Sequence, residues 1–153
     1  MAGGMGMAAV IIAVSSEEQL NKCLEIRKEV FVEEQKVPLD LEIDENDVIG
    51  PDAVHVLIEM EGAAAATGRI TYYKDNSAKM QRIAVRKSFR SQGLGKILLL
   101  ALEERARELG LTKSVLDAQC QAEAFYAKLG YETVSTEPFY DAGILHVRME
   151  KPL

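Results

Sequence analysis

Met80-Gln81-Arg82-Ile83-Ala84-Val85-Arg86-Lys87-Ser88-Phe89-Arg90-Ser91-Gln92-Gly93-Leu94-Gly95-Lys96 carries more of this chain's character than any other stretch, because an apolar strand pattern passes through a short turn into the glycine-rich first turn of a helix. That junction is a place to hold phosphate. Glycines at 93 and 95 let a ligand approach the backbone closely, and the exposed amides of a helix N-terminus meet it with the positive end of the helix dipole. Six basic residues (Lys79, Arg82, Arg86, Lys87, Arg90, Lys96) lie here and no acid intervenes between Asp75 and Glu103, although the whole chain has net charge -6. The positive field is therefore local to this segment.

Spacing decides which phosphate ligand fits. A Walker loop needs Gly-x-x-x-x-Gly-Lys-Ser/Thr, but Arg90 stands at the first glycine position and Ile97 where the hydroxyl belongs. A dinucleotide fingerprint asks for glycine or alanine where Leu98 sits. Arg90-Ser91-Gln92-Gly93-Leu94-Gly95 instead resembles the Arg/Gln-x-x-Gly-x-Gly/Ala signature of the GNAT superfamily of acyl-CoA-dependent N-acetyltransferases. Downstream, Gln119-Cys120-Gln121-Ala122-Glu123-Ala124-Phe125-Tyr126-Ala127-Lys128-Leu129-Gly130-Tyr131 is similar to that family's Asn-x-x-Ala-x-x-Phe-Tyr-x-x-x-Gly-Phe/Tyr helix and following strand. Two motifs in order, with an amphipathic helix and a strand between them, are far more specific than either alone.

Length and composition bound the rest. A chain of 153 residues with 48% hydrophobic and 27% charged content fits one folded domain over 1–153, with 1–7 as a loose end. Cys23 and Cys120 are the only cysteines, so a disulfide framework is not expected and a reducing cytoplasm fits. Met1 to Val14 is small and apolar but lacks a basic leader and runs into Ser15-Ser16-Glu17-Glu18, and no apolar run reaches membrane-spanning length.

Periodicity predicts alternating elements. Ala8 to Val14 reads as a strand, and Ser15-x-x-Glu18 as the capping box of a helix ending near Glu33. Glu34 to Pro51 reads as a loop or short second helix. Val54 to Met60, Ala65 to Tyr73 and Lys79 to Val85 predict an antiparallel meander, followed by a helix over Gln92 to Leu109, with Leu94, Leu98, Ala101, Leu102, Ala106 and Leu109 on one face, stopped by Gly110. A strand at Ser114 to Ala118, a helix at Ala122 to Leu129 and strands near Tyr131 to Ser135 and Leu145 to Lys151 complete the pattern. The fold class is α/β (α+β), a GNAT-like mixed and mostly antiparallel sheet of about six to seven strands with helices on both faces.

The resemblance implies transfer of an acetyl group from acetyl-CoA to a primary amine. It places the CoA pyrophosphate on Arg90, Ser91, Gln92, Gly93, Leu94, Gly95 and Lys96, and gives Phe125 and Gln119 to the cofactor; Gln119 replaces the family's usual asparagine with an amide one methylene longer. Independently of the family, the pantetheine arm is a chain of amides that a strand edge can read, and Ile83-Ala84-Val85 is positioned to offer one while also serving as core. The resemblance gives Tyr126 the role of general acid beside the CoA sulfur; a phenol of ordinary pKa about 10 keeps its proton near neutrality. For the general base, the candidates are Glu33, Glu34, Asp117 and His146. Phe31-Val32-Glu33-Glu34-Gln35 together with Asp141 to His146 is similar to the small ElaA-like branch of the superfamily, and that points to Glu34.

Eight carboxylates between Glu29 and Asp47 favour a cationic acceptor if they border its cleft. His55 and His146 stand apart and the cysteines lack ligand spacing, so no metal is expected. Acetyl-CoA and an amine are the expected partners; a homodimer is allowed, and neither membrane nor nucleic acid is expected, since 6% aromatics and an acidic chain suit the latter poorly. The alternative is a non-catalytic acyl-CoA sensor on the same fold, against which Tyr126 argues.

Overall fold

The computed structural model describes residues 8–153, and the expected loose end at 1–7 lies outside the described residues. Eight strands form one sheet: β1 (Ala9–Ala13), β2 (Ala53–Met60), β3 (Ala63–Tyr73), β4 (Ser77–Val85), β5 (Lys113–Gln119), β6 (Glu132–Thr133), β7 (Phe139–Asp141) and β8 (Ile144–Pro152). Their order is β1-β2-β3-β4-β5-β8-β6, with β7 pairing β8 as well, and every pairing is antiparallel except β4 with β5. The mixed, mostly antiparallel sheet expected from the sequence is present, with one strand more than predicted. The added strand is β7, which turns into β8 through Ala142 and Gly143, both at positive φ. Ala-Gly is a weaker hairpin signal than Asn-Gly or Asp-Gly, which is why the turn escaped notice.

Helices cover both faces. α1 (Glu17–Arg27) continues into a π-helical stretch, Lys28–Glu34, and after Pro38 comes the four-residue α2 (Leu39–Glu42). Cys23, Ile26 and Val30 pack with Leu57 and Ala84 on one face of the sheet. On the other face α3 (Leu94–Glu108) buries Leu94, Leu98, Leu99, Leu102 and Ala106 against Ile58, Ile70, Met80, Leu116, Val147 and Met149. The short α4 (Glu123–Lys128) follows β5.

Two local readings are corrected. The cap of α1 is Ser16, whose Oγ accepts the Gln19 N–H at 3.2 Å while Gln19 Oε1 accepts the Ser15 N–H at 2.8 Å; a glutamine therefore completes the box that Ser15 and Glu18 were expected to form. On α3, Leu99 and Glu103 are buried, and Ala101 and Leu109 are only half-buried. Glu103 is tolerated inside because Tyr131 Oη donates to it at 2.8 Å and Lys151 Nζ at 2.9 Å.

Candidate active site

The one parallel ladder is short. β4 and β5 pair from Ser77 with Lys113 to Met80 with Leu116, and beyond Met80 the two strands have no register partners in one another. The cause lies in β4, where Arg82 adopts φ 56° and Arg82-Ile83 stands opposite the single residue Gly68 in a bulge. Gly68 admits this arrangement, since a Cβ there would lie 2.9 Å from Leu102 Cδ1 and 3.5 Å from Ile83 Cγ1. The strained bulge is tethered through its side chain: Arg82 donates to the Glu42 and Leu41 carbonyls at 3.2 and 3.3 Å. The strands splay around a cleft of about 500 Å³ lined by Gln81, Arg82 and Ile83 on one side and Leu116 to Gln119 on the other. Ala84 and Val85 stand just behind it in the two cores.

The glycine-rich turn lies beside α4: Gly95 packs on Phe125, whose ring meets the cleft-lining Tyr126. Among the described residues, the consecutive amides of Ser91, Gln92, Gly93, Leu94, Gly95 and Lys96 have no acceptor, and Ile97 is the first to bond, to the Gly93 carbonyl at 3.2 Å. Six free N–H groups at the start of a helix of 15 residues form an anion cradle. The two glycines serve different ends. Gly93 has φ +78° with open space around it, whereas a Cβ on Gly95 would touch Phe125 Cζ at 3.4 Å, so that Phe125 floors the turn.

Glu34 braces this turn. Arg90 holds both oxygens of Glu34 at 2.9 and 2.8 Å and donates Nε to the Val85 carbonyl at 2.9 Å, tying the π-helical stretch, the end of β4 and the turn together. The Arg90 hydrogen bonds hold the Glu34 carboxyl below its ordinary range, and Glu34 is not among the residues lining the cleft. Lys87 and Lys96 have no carboxylate within salt-bridge distance among the described residues, and so carry the turn's unpaired positive charge.

Strand alternation sorts the rest of the lining. Val147 and Met149 point to the α3 core, so His146 and Arg148 point to the α1 face; on β5, Leu116 and Ala118 face α3 while Asp117 and Gln119 face α1. The cleft thus runs through the sheet, from Tyr126 on one side to Val30, Phe31, Val37 and Leu41 on the other. Tyr126 meets Phe125 and Tyr131 edge to face at 5.1 and 6.0 Å between ring centroids. No described residue hydrogen-bonds its hydroxyl, and since no buried side-chain oxygen among them is left without a partner, that hydroxyl opens onto the cleft, while burial of the ring pushes the phenol up to about 12. Gln119 Nε2 donates to Gln35 Oε1 at 2.8 Å, bridging the cleft from β5 to the end of the π-helical stretch. Asp117 is held by Arg148 at 2.8 Å and by Lys79 at 3.3 Å, bonds that outweigh its burial and hold its carboxyl below the ordinary range.

The acidic segment has another use from the one its charge suggested. Glu42 and Asp47 hold the buried Arg27, Asp44 and Asp47 hold the buried Arg69, Glu29 pairs with Arg86 and Glu34 with Arg90. Arg69 also donates Nε and Nη2 to Gln81 Oε1, which carries this cluster to the cleft wall. A reading by sequence missed it, although arginine within the apolar run Ala63 to Ile70 was a sign that carboxylates must come from elsewhere. Among the described residues, no three His, Cys, Asp or Glu are grouped to hold a metal ion, and no helix is long and apolar enough to cross a membrane.

Residues 12–153 match the family model described as an acetyltransferase (GNAT) domain. The protein called "Uncharacterized N-acetyltransferase YjcF" of Bacillus subtilis is 42% identical over 145 residues, covering 95% of this chain and 99% of that one. The crystal structure of an acyl-CoA N-acyltransferase from Pseudomonas aeruginosa superposes with a TM-score of 0.81 at 28% identity, over 95% of this chain and 99% of that one. That of Escherichia coli ElaA superposes with the same TM-score, 0.81, at 26% identity and the same coverage, 95% and 99%. With the family model spanning nearly the whole chain and the cleft built as described, this protein belongs to the GNAT family of acyl-CoA-dependent acetyltransferases.

Proposed function

We propose that the protein transfers an acetyl group from acetyl-CoA directly to a primary amine, with Tyr126 as proton donor to the departing thiolate. The observation that carries this reading is Tyr126, which lines the cleft with its hydroxyl accessible there and bonded to no described residue. A residue present only for packing has no need of that hydroxyl. The cradle of amides from Ser91 to Lys96 takes the pyrophosphate, and the open edge of β4 over Gln81 to Val85 takes the amides of the pantetheine arm. The amine enters from the side of Val30, Phe31, Val37 and Leu41, and its nitrogen attacks the thioester carbonyl. The C–N bond forms, the C–S bond breaks, sulfur takes the phenol's proton as negative charge builds on it, and the acylated nitrogen sheds its extra proton into the cleft. A thiol's ordinary pKa of about 8.5 lies below that of the phenol, so donation is completed as tyrosinate regains a proton through the cleft.

The same lining speaks for the acceptor. Glu42 and Asp117, which face into the cleft, are each bound by two cations, and only Asp141 at the rim lacks one among the described residues. An amine on an apolar body suits this wall better than the polycation that the acidic segment suggested. The test is thiol release from acetyl-CoA with arylalkylamines, spermidine, an aminoglycoside and a lysine peptide, with CoA binding measured alongside. Turnover that favours the arylalkylamines is expected. CoA binding without thiol release from any amine would turn the assignment toward an acyl-CoA sensor.

A further inference from the structure

We propose that His146 is the general base, taking the ammonium proton of the incoming amine on Nε2. This rests on the acyl-transfer reading above. His146 lies on the α1 face of β8, paired in register with Gln119 across from β5 and with Phe139 on β7, and it lines the cleft on the side where the acceptor enters. Its Nδ1 lies 2.7 Å from the Ile144 carbonyl. A carbonyl only accepts, so Nδ1 carries the hydrogen and the neutral ring keeps its lone pair on Nε2. The ring is held in plane by stacking on Phe139, with centroids 6.1 Å apart and 23° between planes. Backbone and neighbour together fix both tautomer and orientation, the two conditions a base must meet before a proton arrives.

Other groups around the cleft are engaged. Glu34 is clasped by Arg90, Asp117 by Arg148 and Lys79, and Glu42 by Arg27 and Arg82. The charged and titratable groups that share the space with His146 are Asp117 and Arg148 beside it on β5 and β8, Asp141 on β7, Lys79 and Arg82 on β4, Glu42 on α2 and Tyr126 on α4. Of these Asp141 alone is an unpaired carboxylate, and it stands at the exposed tip of the hairpin. An alkylamine of pKa about 10 is almost wholly protonated at neutrality, so a proton acceptor must meet it in the cleft.

Thiol release is measured first in the parent protein across pH; its absence there is a failure of the acyl-transfer reading and leaves a folded, CoA-binding protein behind. With the parent active, His146→Gln should lose about 10²- to 10⁴-fold in kcat/KM at pH 7 with CoA affinity retained. Its acid limb should move up to the amine's own pKa near about 10, climbing with unit slope, because the variant accepts only amine that is already neutral. His146→Gly should regain rate on addition of imidazole in proportion to the unprotonated imidazole present. Should Glu34→Gln instead move the acid limb up to the amine's pKa while His146→Gln leaves it in place, the proposal is overturned; a glutamine variant at 146 with the parent's rate and pH profile overturns it equally.

Discussion

Replacing Asp44 by asparagine should separate the charge of the buried cluster from its shape. Burial acts to raise the Asp44 carboxyl, but hydrogen bonds from Arg69 and the Asn46 N–H, and the charges of Arg69 and Arg82, hold it at about 2 against an ordinary 3.8. Its pKa is lower in the folded state, so its stabilisation is complete above 3.8 and drains away as pH falls toward about 2. The gap between 3.8 and about 2, at about 1.36 kcal/mol per pH unit, is worth about 2.5 kcal/mol at pH 7, falling to about 1.3 kcal/mol at pH 3. Asp44→Asn should therefore be less stable than the parent by about 2.5 kcal/mol at pH 7 and by about half that at pH 3. Urea titrations at the two pH values measure this. Since Arg82 Nη2 also reaches Asp44 at 3.4 Å, the β4 bulge should loosen and CoA bind more weakly. An equal loss of stability at pH 7 and pH 3 would refute the electrostatic account and leave only a packing defect.

Gly68→Ala should destabilise by about 1–3 kcal/mol in chemical melts, because its Cβ would lie 2.9 Å from the buried Leu102 Cδ1 and force α3 off the sheet. Gly93→Ala meets open space but a φ of +78°, so calorimetry should show a loss of about 1–2 kcal/mol from backbone strain alone. Tyr126→Phe should lower the single-turnover rate by one to two orders of magnitude with acetyl-CoA affinity unchanged. With its phenol pushed up to about 12, the parent's rate should show no basic limb from this group below about pH 11. Lys151→Met should cost about 1–3 kcal/mol in urea melts, because it removes a charged donor from the buried Glu103 and leaves Tyr131 with the more distant Arg107 at 4.0 Å.

The sequence made the sheet and its ligand turn legible because both are governed by local signals: alternation in β2 to β4, leucine spacing in α3, and glycines where φ turns positive or the backbone must be reached. Arg90 shows where such signals end. Its motif predicts contact with phosphate, while its guanidinium is found on Glu34, 56 positions away in the chain. The pairing of Glu42, Asp44 and Asp47 with Arg27 and Arg69 is equally long-range, so acids that the sequence offered to a cationic acceptor serve as an internal counter-charge. The β4 bulge was hidden for a related reason. Neither Gly68 nor Arg82 is unusual in its own strand, and only their placement opposite each other, under Leu102, makes the irregularity.

The short parallel ladder between β4 and β5 makes this protein's endurance a function of metabolite supply. The meander β1 to β4 and the C-terminal group β5 to β8 meet through four residue pairs, with cleft beyond. If acyl-CoA lies in that cleft as proposed, on the open edge of β4 and the start of α3, it would work as a stitch between two half-sheets that share little backbone otherwise. Ligand at a hundred times its Kd would add about 2.7 kcal/mol to the free energy of unfolding, comparable to the whole contribution of Asp44. Without it, the seam would be the place where opening and proteolysis begin, so the protein's lifetime should rise with the acyl-CoA supplied.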